Sequence, residues 1–233
     1  MFLKKLMAFN SSRSRLLEEN SRFASMIPSG AMVLDAGAGD APYKHLLSHA
    51  VYESVDFEKM DKPYAKSTYV CDLKDIPVED NRYDFILFNQ VMEHVPDPRL
   101  VLKELFRVLK ADGQLIYTAP LFYEEHGQPY DFYRYTSFGV KHLFHEAGFR
   151  VQRLDWLEGY YGTIGYQLSC MSAYLPSKAE VIAPSPWGTV LVPFMFLFKK
   201  QMAILSVFFH WLEMKSKYTA SGYPKNYIAI FIK

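Results

Sequence analysis

Cysteine is nearly absent from this 233-residue chain, and the two present, Cys71 and Cys170, lie far apart in sequence. Two distant thiols offer neither a disulfide framework nor the paired spacing of a metal site, so no metal is expected and the usage is that of a reducing, cytoplasmic compartment. Charge of one sign is not in excess either: 26 Lys and Arg stand against 25 Asp and Glu, for a net charge of +1. Without a basic run to track phosphates, nucleic acid drops out as a partner. Repeats and low-complexity tracts are missing, so residues 1–233 read as a single domain. Residues 1–9 are apolar but are interrupted by Lys4 and Lys5 and ended by the polar residues 10–12. That core is too short for a signal peptide or a span, and it reads as the start of an amphipathic helix within an N-terminal helical segment, residues 1–27.

What is present is a short apolar run, Met32-Val33-Leu34, leading into Asp35-Ala36-Gly37-Ala38-Gly39-Asp40. This is a buried strand entering a turn whose two glycines let the backbone approach a ligand with no Cβ in the way. Pro42 suits the first turn of a following helix with an apolar face of Tyr43, Leu46 and Leu47. A dinucleotide fingerprint would place a small residue where Pro42 stands. The order Asp-x-Gly-x-Gly instead resembles the first motif of the class I S-adenosylmethionine-dependent methyltransferases.

Downstream spacing agrees with that resemblance. Residues 52–56 form a second strand ending on Asp56, about 20 residues past the glycines, where a carboxylate can accept ribose hydroxyls; the alternative is a surface acid in a loop. Residues 69–73 form a third strand, and the resemblance makes Asp72 the acid that meets the adenine amino group, against an Asx turn before Lys74. Residues 83–89 are almost continuously apolar, as in a parallel strand covered on both faces. The segment Gln90-Val91-Met92-Glu93-His94-Val95-Pro96-Asp97 then resembles the stretch after the fourth strand in small-molecule methyltransferases. An amphipathic helix over 100–109 is terminated by residues 111–114, and a fifth strand covers 115–120. The resemblance spans roughly residues 28–150. It implies an α/β fold: a Rossmann-like, doubly wound, seven-stranded sheet with an antiparallel last strand, to which the length of chain before that strand adds a helical insertion. It also implies S-adenosyl-L-methionine as cofactor, held by Asp35, Ala36, Gly37, Gly39, Asp56, Phe57, Asp72, Leu73, Asn89, Gln90 and His94.

Six of the fourteen residues at 122–135 are aromatic. They follow the fifth strand, at the cofactor edge, and include Pro129-x-Asp131-Phe132-Tyr133-Arg134-Tyr135-Thr136, which resembles a loop of bacterial methyltransferases in this subgroup. Aromatic faces can attract a sulfonium, so Tyr123, His126, Tyr130, Tyr133 and Arg134 are candidate substrate contacts. Methyl transfer asks mainly for near-attack geometry, and a hydroxyl acceptor also benefits from a base. His126 is the first candidate base and His94 the second; a hydrogen-bonded structural role is the alternative for each. Asp131 and Arg134 could instead pair with each other to fix the loop. Thr136 can cap a helix over 138–147 that closes at Gly148.

Residues 150–157 and 226–232 read as the last two strands, pairing antiparallel, with about 65 residues between them. So long a connection has structure of its own, here an apolar helical insertion at about 159–222. Over 194–217, Lys199, Ser206, His210, Glu213 and Lys217 fall on one narrow helical stripe and apolar residues cover the rest. Lys199 and Lys200 split the run and Pro193 breaks it upstream, so no span is expected. Three accounts stay open: packing against the sheet or a homodimer partner, a cover over a greasy acceptor site, or a helix in the membrane interface at the inner membrane face. The resulting reading is methyl transfer from S-adenosylmethionine to a small acceptor, lipid-linked or saccharide. Its rival is a non-catalytic nucleotide-fold scaffold that binds a membrane or partner. A nicotinamide oxidoreductase is disfavoured by Pro42 and by the lack of a Tyr-x-x-x-Lys on a helix.

Overall fold

The computed structural model describes residues 10–60 and 63–233, so the helix start expected at residues 1–9 lies outside the described residues. By their contacts the described residues fall into two compact units, one built from Arg15–Leu157 with Asn226–Lys233 and the other from residues 10–14 with Glu158–Lys225.

The first unit is a seven-stranded sheet. Its strands are β1 (Met32–Ala36), β2 (Val51–Asp56), β3 (Tyr69–Val70), β4 (Tyr83–Asn89), β5 (Leu109–Pro120), β6 (Arg150–Trp156) and β7 (Asn226–Ile232). They lie in the order β3-β2-β1-β4-β5-β7-β6, with β7 antiparallel to both neighbours and the other pairs parallel. Side chains alternate between two buried layers, as strand geometry requires. Leu34, Ile86, Phe88, Leu115, Tyr117 and Phe231 enter one apolar cluster, while Val33, Leu87, Ile116, Ile228 and Ile230 enter the other. The first layer is closed by α2 (Pro98–Val108) and α3 (Ser137–Glu146), the second by Phe23, Ala24 and Ile27, at and just beyond the end of α1 (Ser11–Met26).

Local chemistry sets these boundaries. The Asp97 carboxylate accepts the Leu100 N–H at 3.4 Å and Pro98 opens α2, a favourable cap and first position. Thr136 accepts the Gly139 N–H at 3.2 Å, and Gly148 leaves α3 with φ +104°. Three expectations fail here. After the glycine turn there is only a 3-10 turn, Lys44–Leu47, because the fourteen residues between β1 and β2 must both leave and re-enter the sheet. β3 ends at Val70, since Asp72 makes an Asx turn with the Lys74 N–H at 3.1 Å. Residues 111–114 do not terminate a helix. The chain passes from Val108 straight into β5, with Leu109 paired to Tyr83 and a register shift, at a left-handed Asp112 (φ +59°), before Gln114 meets Phe85.

The second unit holds α4 (Tyr160–Tyr174), α5 (Ala179–Ile182) and α6 (Trp187–Lys215). Pro193 lies inside α6 instead of breaking it, since one proline removes a single backbone bond and the flanking turns continue. At 29 residues α6 is long and apolar enough to cross a membrane, yet only 17% of its most apolar window is buried. The buried stripe is Met202, Ser206, His210 and Glu213, at helical spacing. Ser206 Oγ donates to the Gly165 carbonyl at 2.7 Å, and His210 Nδ1 lies 2.8 Å from Ser11 Oγ. The Glu213 carboxylate accepts the Gly159 and Gly162 N–H groups at 2.8 and 3.1 Å, closing the N-terminus of α4. A Cβ at Gly165 would stand 3.0 Å from the His210 ring, so the glycine permits this approach of α4 to α6. Ser206, His210 and Glu213 of the polar stripe therefore face inward, Lys217 lies exposed beyond the end of α6, and Phe194, Phe196, Leu197, Ile204, Phe208 and Trp211 face outward, Ile204 at 69% exposure.

Candidate cofactor and acceptor site

The carboxyl ends of β1 to β4 surround a cavity in the sheet unit. Strand order reverses between β1 and β4, which is where open α/β sheets bind ligands. Gly37, Asp56, Phe57, Asp72, Leu73, Gln90, His94 and Tyr130 line it, as do Lys59, Met60, Val91, Val95, Pro96 and Val101. Gly37 adopts φ +79°, and a Cβ there would stand 2.5 Å from Val91 Cγ2. Only glycine meets both demands. Asp56 is buried and holds the turn, accepting the Gly39 N–H through Oδ2 at 2.8 Å and the Glu58 N–H through Oδ1 at 3.0 Å. Its remaining lone pairs, with Asp72 in the turn just after β3, give an acidic edge suited to ribose hydroxyls and an exocyclic amine.

Several of the expected residues stand behind this cavity. Ala36 is buried within β1, and Gly39 forms the far side of the turn with φ +55°. Asp35 is also buried and accepts the Tyr52 hydroxyl at 2.7 Å; burial pushes its carboxyl up to about 6, against the opposing pull of that hydrogen bond. Asn89 joins two elements, donating to Asn20 and accepting from Thr118 Oγ1, each at 2.9 Å. Asp72 lines the cavity and also makes the Asx turn. Val91 could have been anticipated from its place between Gln90 and Glu93, whereas Lys59, Met60 and Val101 carried no sequence signal.

The loop at 122–135 is tied down at its base. Arg134 pairs with both oxygens of Asp131, at 2.6 and 2.8 Å, and donates to the Glu124 carbonyl at 2.9 Å. This guanidinium holds the Asp131 carboxyl down at about 2. The Phe132 and Tyr133 N–H groups donate to the Glu93 carbonyl at 2.8 and 3.3 Å, fastening the loop to the segment after β4. Tyr130 meets Phe57 edge-on with ring centres 5.3 Å apart, and its carbonyl accepts the His94 Nδ1–H. Tyr133 donates to the Pro96 carbonyl at 3.2 Å. His126 packs against His94 and Tyr123, ring centres 4.6 and 5.0 Å away, and its Nδ1 lies 3.1 Å from the Glu124 carbonyl. The two candidate bases are thus neighbours, His94 lining the cavity and His126 packed against it.

A family model described as a methyltransferase domain matches residues 9–154. The chain belongs to this family, and its cofactor is S-adenosylmethionine, whose nucleoside the residues at this sheet edge fit. Bound there, it supplies a methyl group on a positively charged sulfur. Among curated proteins the chain is 30% identical over 118 residues to a demethylmenaquinone methyltransferase of Staphylococcus saprophyticus, covering 45% of this chain and 48% of that one. It is 25% identical over 154 residues to a ubiquinone biosynthesis O-methyltransferase of Coxiella burnetii, covering 61% of each. The matches thus span about half to three fifths of the length of these relatives. A S-adenosylmethionine-dependent methyltransferase from Archaeoglobus fulgidus shares the fold, with TM-score 0.54, 16% identity and coverage of 95% of this chain and 94% of that one.

Proposed function

We propose that the protein transfers a methyl group from S-adenosylmethionine to a small, lipid-linked acceptor, working as a peripheral protein at the inner face of a membrane. The whole chain acts as one methyltransferase domain, with residues 159–222 as its helical insertion. The observation that carries the lipid is the inverted helix α6, which turns its polar stripe inward and leaves a row of aromatic and aliphatic side chains in contact with solvent. A surface of this kind marks a protein or membrane contact. Burying each such side chain in lipid is worth about 1.5–3 kcal/mol, so a few suffice for reversible attachment. Lys199 and Lys200 stand mid-helix, where a charge at a bilayer centre costs about 2.5–3.5 kcal/mol, and this favours a helix lying on the membrane over one crossing it. Exposed Lys200, Lys215 and Lys217 favour an anionic surface. Two of the relatives are named for quinones, which agrees with an apolar acceptor.

At the cavity, Gly37, Asp56 and Asp72 hold the cofactor, and the loop at 122–135 closes over the acceptor through Tyr123, Tyr130 and Tyr133. Arg134 keeps that loop in shape through Asp131, while His126, with His94 behind it, receives the proton of a hydroxyl acceptor. The test supplies methyl-labelled S-adenosylmethionine with lipid extract or with aqueous metabolite extract of cells. Label partitioning into organic solvent supports the proposal, and label only in water-soluble product overturns it. Flotation with phosphatidylglycerol-containing vesicles should be strong at low salt and lost in Phe208→Asp.

A further inference from the structure

Three side chains beside the cofactor cavity form a cluster with the donor chemistry of a metal site. One donor atom each from Glu93, His94 and His126 lies within 4.8 Å of the others. The Glu93 carboxylate is fully buried, with Oε1 4.0 Å from Nε2 of His94. Both imidazoles are held in one tautomer by backbone. His94 donates its Nδ1–H to the Tyr130 carbonyl, and the Glu124 carbonyl lies 3.1 Å from Nδ1 of His126, with the Asp131 carboxylate 3.4 Å away on the same nitrogen. In each ring the lone pair is then left on Nε2. An acceptor fixing one ring nitrogen so that the other can bind is how metal-ligating histidines are oriented.

The backbone is shaped to bring the rings together. Gly127 takes φ +65°, a conformation that favours glycine, and a Cβ there would run into Met60 Cε and stand 3.2 Å from Cε1 of His94, so a side chain at this turn would press on the His94 side of the cluster. We infer that Glu93, His94 and His126 form a binding site for a divalent cation of borderline softness, of which zinc is the type. Two imidazoles and a carboxylate are a donor set for such ions and a poor one for magnesium or calcium. Metal–ligand bonds of about 2.0–2.2 Å require donors roughly 3.5 Å apart, and a small rotation of the half-buried His126 side chain closes that gap. With three protein ligands the ion keeps an open position. With the ion bound, Nε2 of His126 is occupied, so His126 is the base of the metal-free protein and, on the methyl-transfer reading, a hydroxyl or carbonyl oxygen of the acceptor takes the open position instead; the cation site itself does not depend on that reading.

The test titrates the full-length protein, freed of metal by chelation, with Co²⁺. Saturable binding of one equivalent, with visible absorption bands and displacement by Zn²⁺, is expected. His126→Ala should abolish the bands, and Asp131→Asn should weaken Co²⁺ affinity about 10- to 100-fold by releasing the ring. Both variants should keep the wild-type circular dichroism spectrum and bind S-adenosylhomocysteine normally in calorimetry, which separates loss of the ion from loss of the cofactor site. Failure to bind Co²⁺ at one equivalent, or binding unchanged in His126→Ala and in His94→Ala, overturns the inference. Cofactor binding together with no Co²⁺ binding would leave the methyltransferase reading intact.

Discussion

Asp56 at the end of β2 reaches across to the backbone N–H of Gly39, 2.8 Å away, so a single carboxylate sets the shape of the turn that follows β1. The acid proposed to receive the ribose is also the acid that builds the floor beneath it. Asp56→Ala should lose a charge-assisted contact to the ligand worth about 1.5–3 kcal/mol, a drop of roughly 10- to 100-fold in S-adenosylmethionine affinity. Gly37→Val should abolish binding, because it is strained at φ +79° and meets Val91. Calorimetry on both variants checks this, and wild-type affinity in either would remove that residue from the site.

His126 is expected to matter for turnover and not for the cofactor. His126→Gln should lower the methylation rate by about 10²- to 10⁴-fold at neutral pH, with the affinity for S-adenosylhomocysteine unchanged. An undiminished rate would take His126 out of the chemistry.

Asp35 predicts a pH dependence of a definite sign. Its folded carboxyl is raised to about 6 from an ordinary 3.8, so the fold binds the proton more tightly than the unfolded chain does. The stabilising effect is fully present below about pH 4 and is lost as pH rises through 6, amounting to about 3 kcal/mol. His210, lowered by burial and by Lys225 to about 4, slopes the opposite way over the same range. A comparison with Asp35→Asn therefore isolates the effect. That variant should gain on the wild type in urea melts between pH 4 and 7, and a difference constant with pH would refute the assignment.

Glu213 closes the first turn of α4 through two backbone N–H groups. Glu213→Ala should destabilise the protein by about 1.5–3 kcal/mol, and Glu213→Gln by less, since the amide oxygen still accepts one of the two bonds. Chemical denaturation of the two variants decides. Equal midpoints for Ala and wild type would show that the cap is dispensable.

What could be read from the sequence was what ligand chemistry or a strand period fixes locally. Gly37, Asp56 and Asp72, singled out because a nucleoside would need a bare backbone and acids at set intervals, do line one cavity, and residues 83–89 were legible because a strand buried on both faces must be apolar throughout. Elements decided by tertiary geometry were not legible. Nothing in Lys44–Leu47 says that the return to the sheet leaves room only for a 3-10 turn. Pro193 looked like a stop and is not one. The polar stripe of α6 was visible as a period, but a period does not say which side faces a neighbour. The pairing of His94 with His126 depends on how the loop folds back at Gly127, and separation in sequence hides it.

The orientation of α6 inverts the usual map of tolerance to substitution. Along most surface helices, polar positions drift freely and apolar ones are constrained. Here Ser206, His210 and Glu213 are the positions where exchange should be punished, each being bound to backbone or side chain inside its unit. Phe196, Leu197, Ile204 and Trp211 should interchange among apolar types with little effect on folding. A solubility redesign guided by hydropathy alone would replace the outward residues, giving a stable protein that, on the proposed function, no longer reaches its acceptor. One guided by polarity would spare them and unmake the fold.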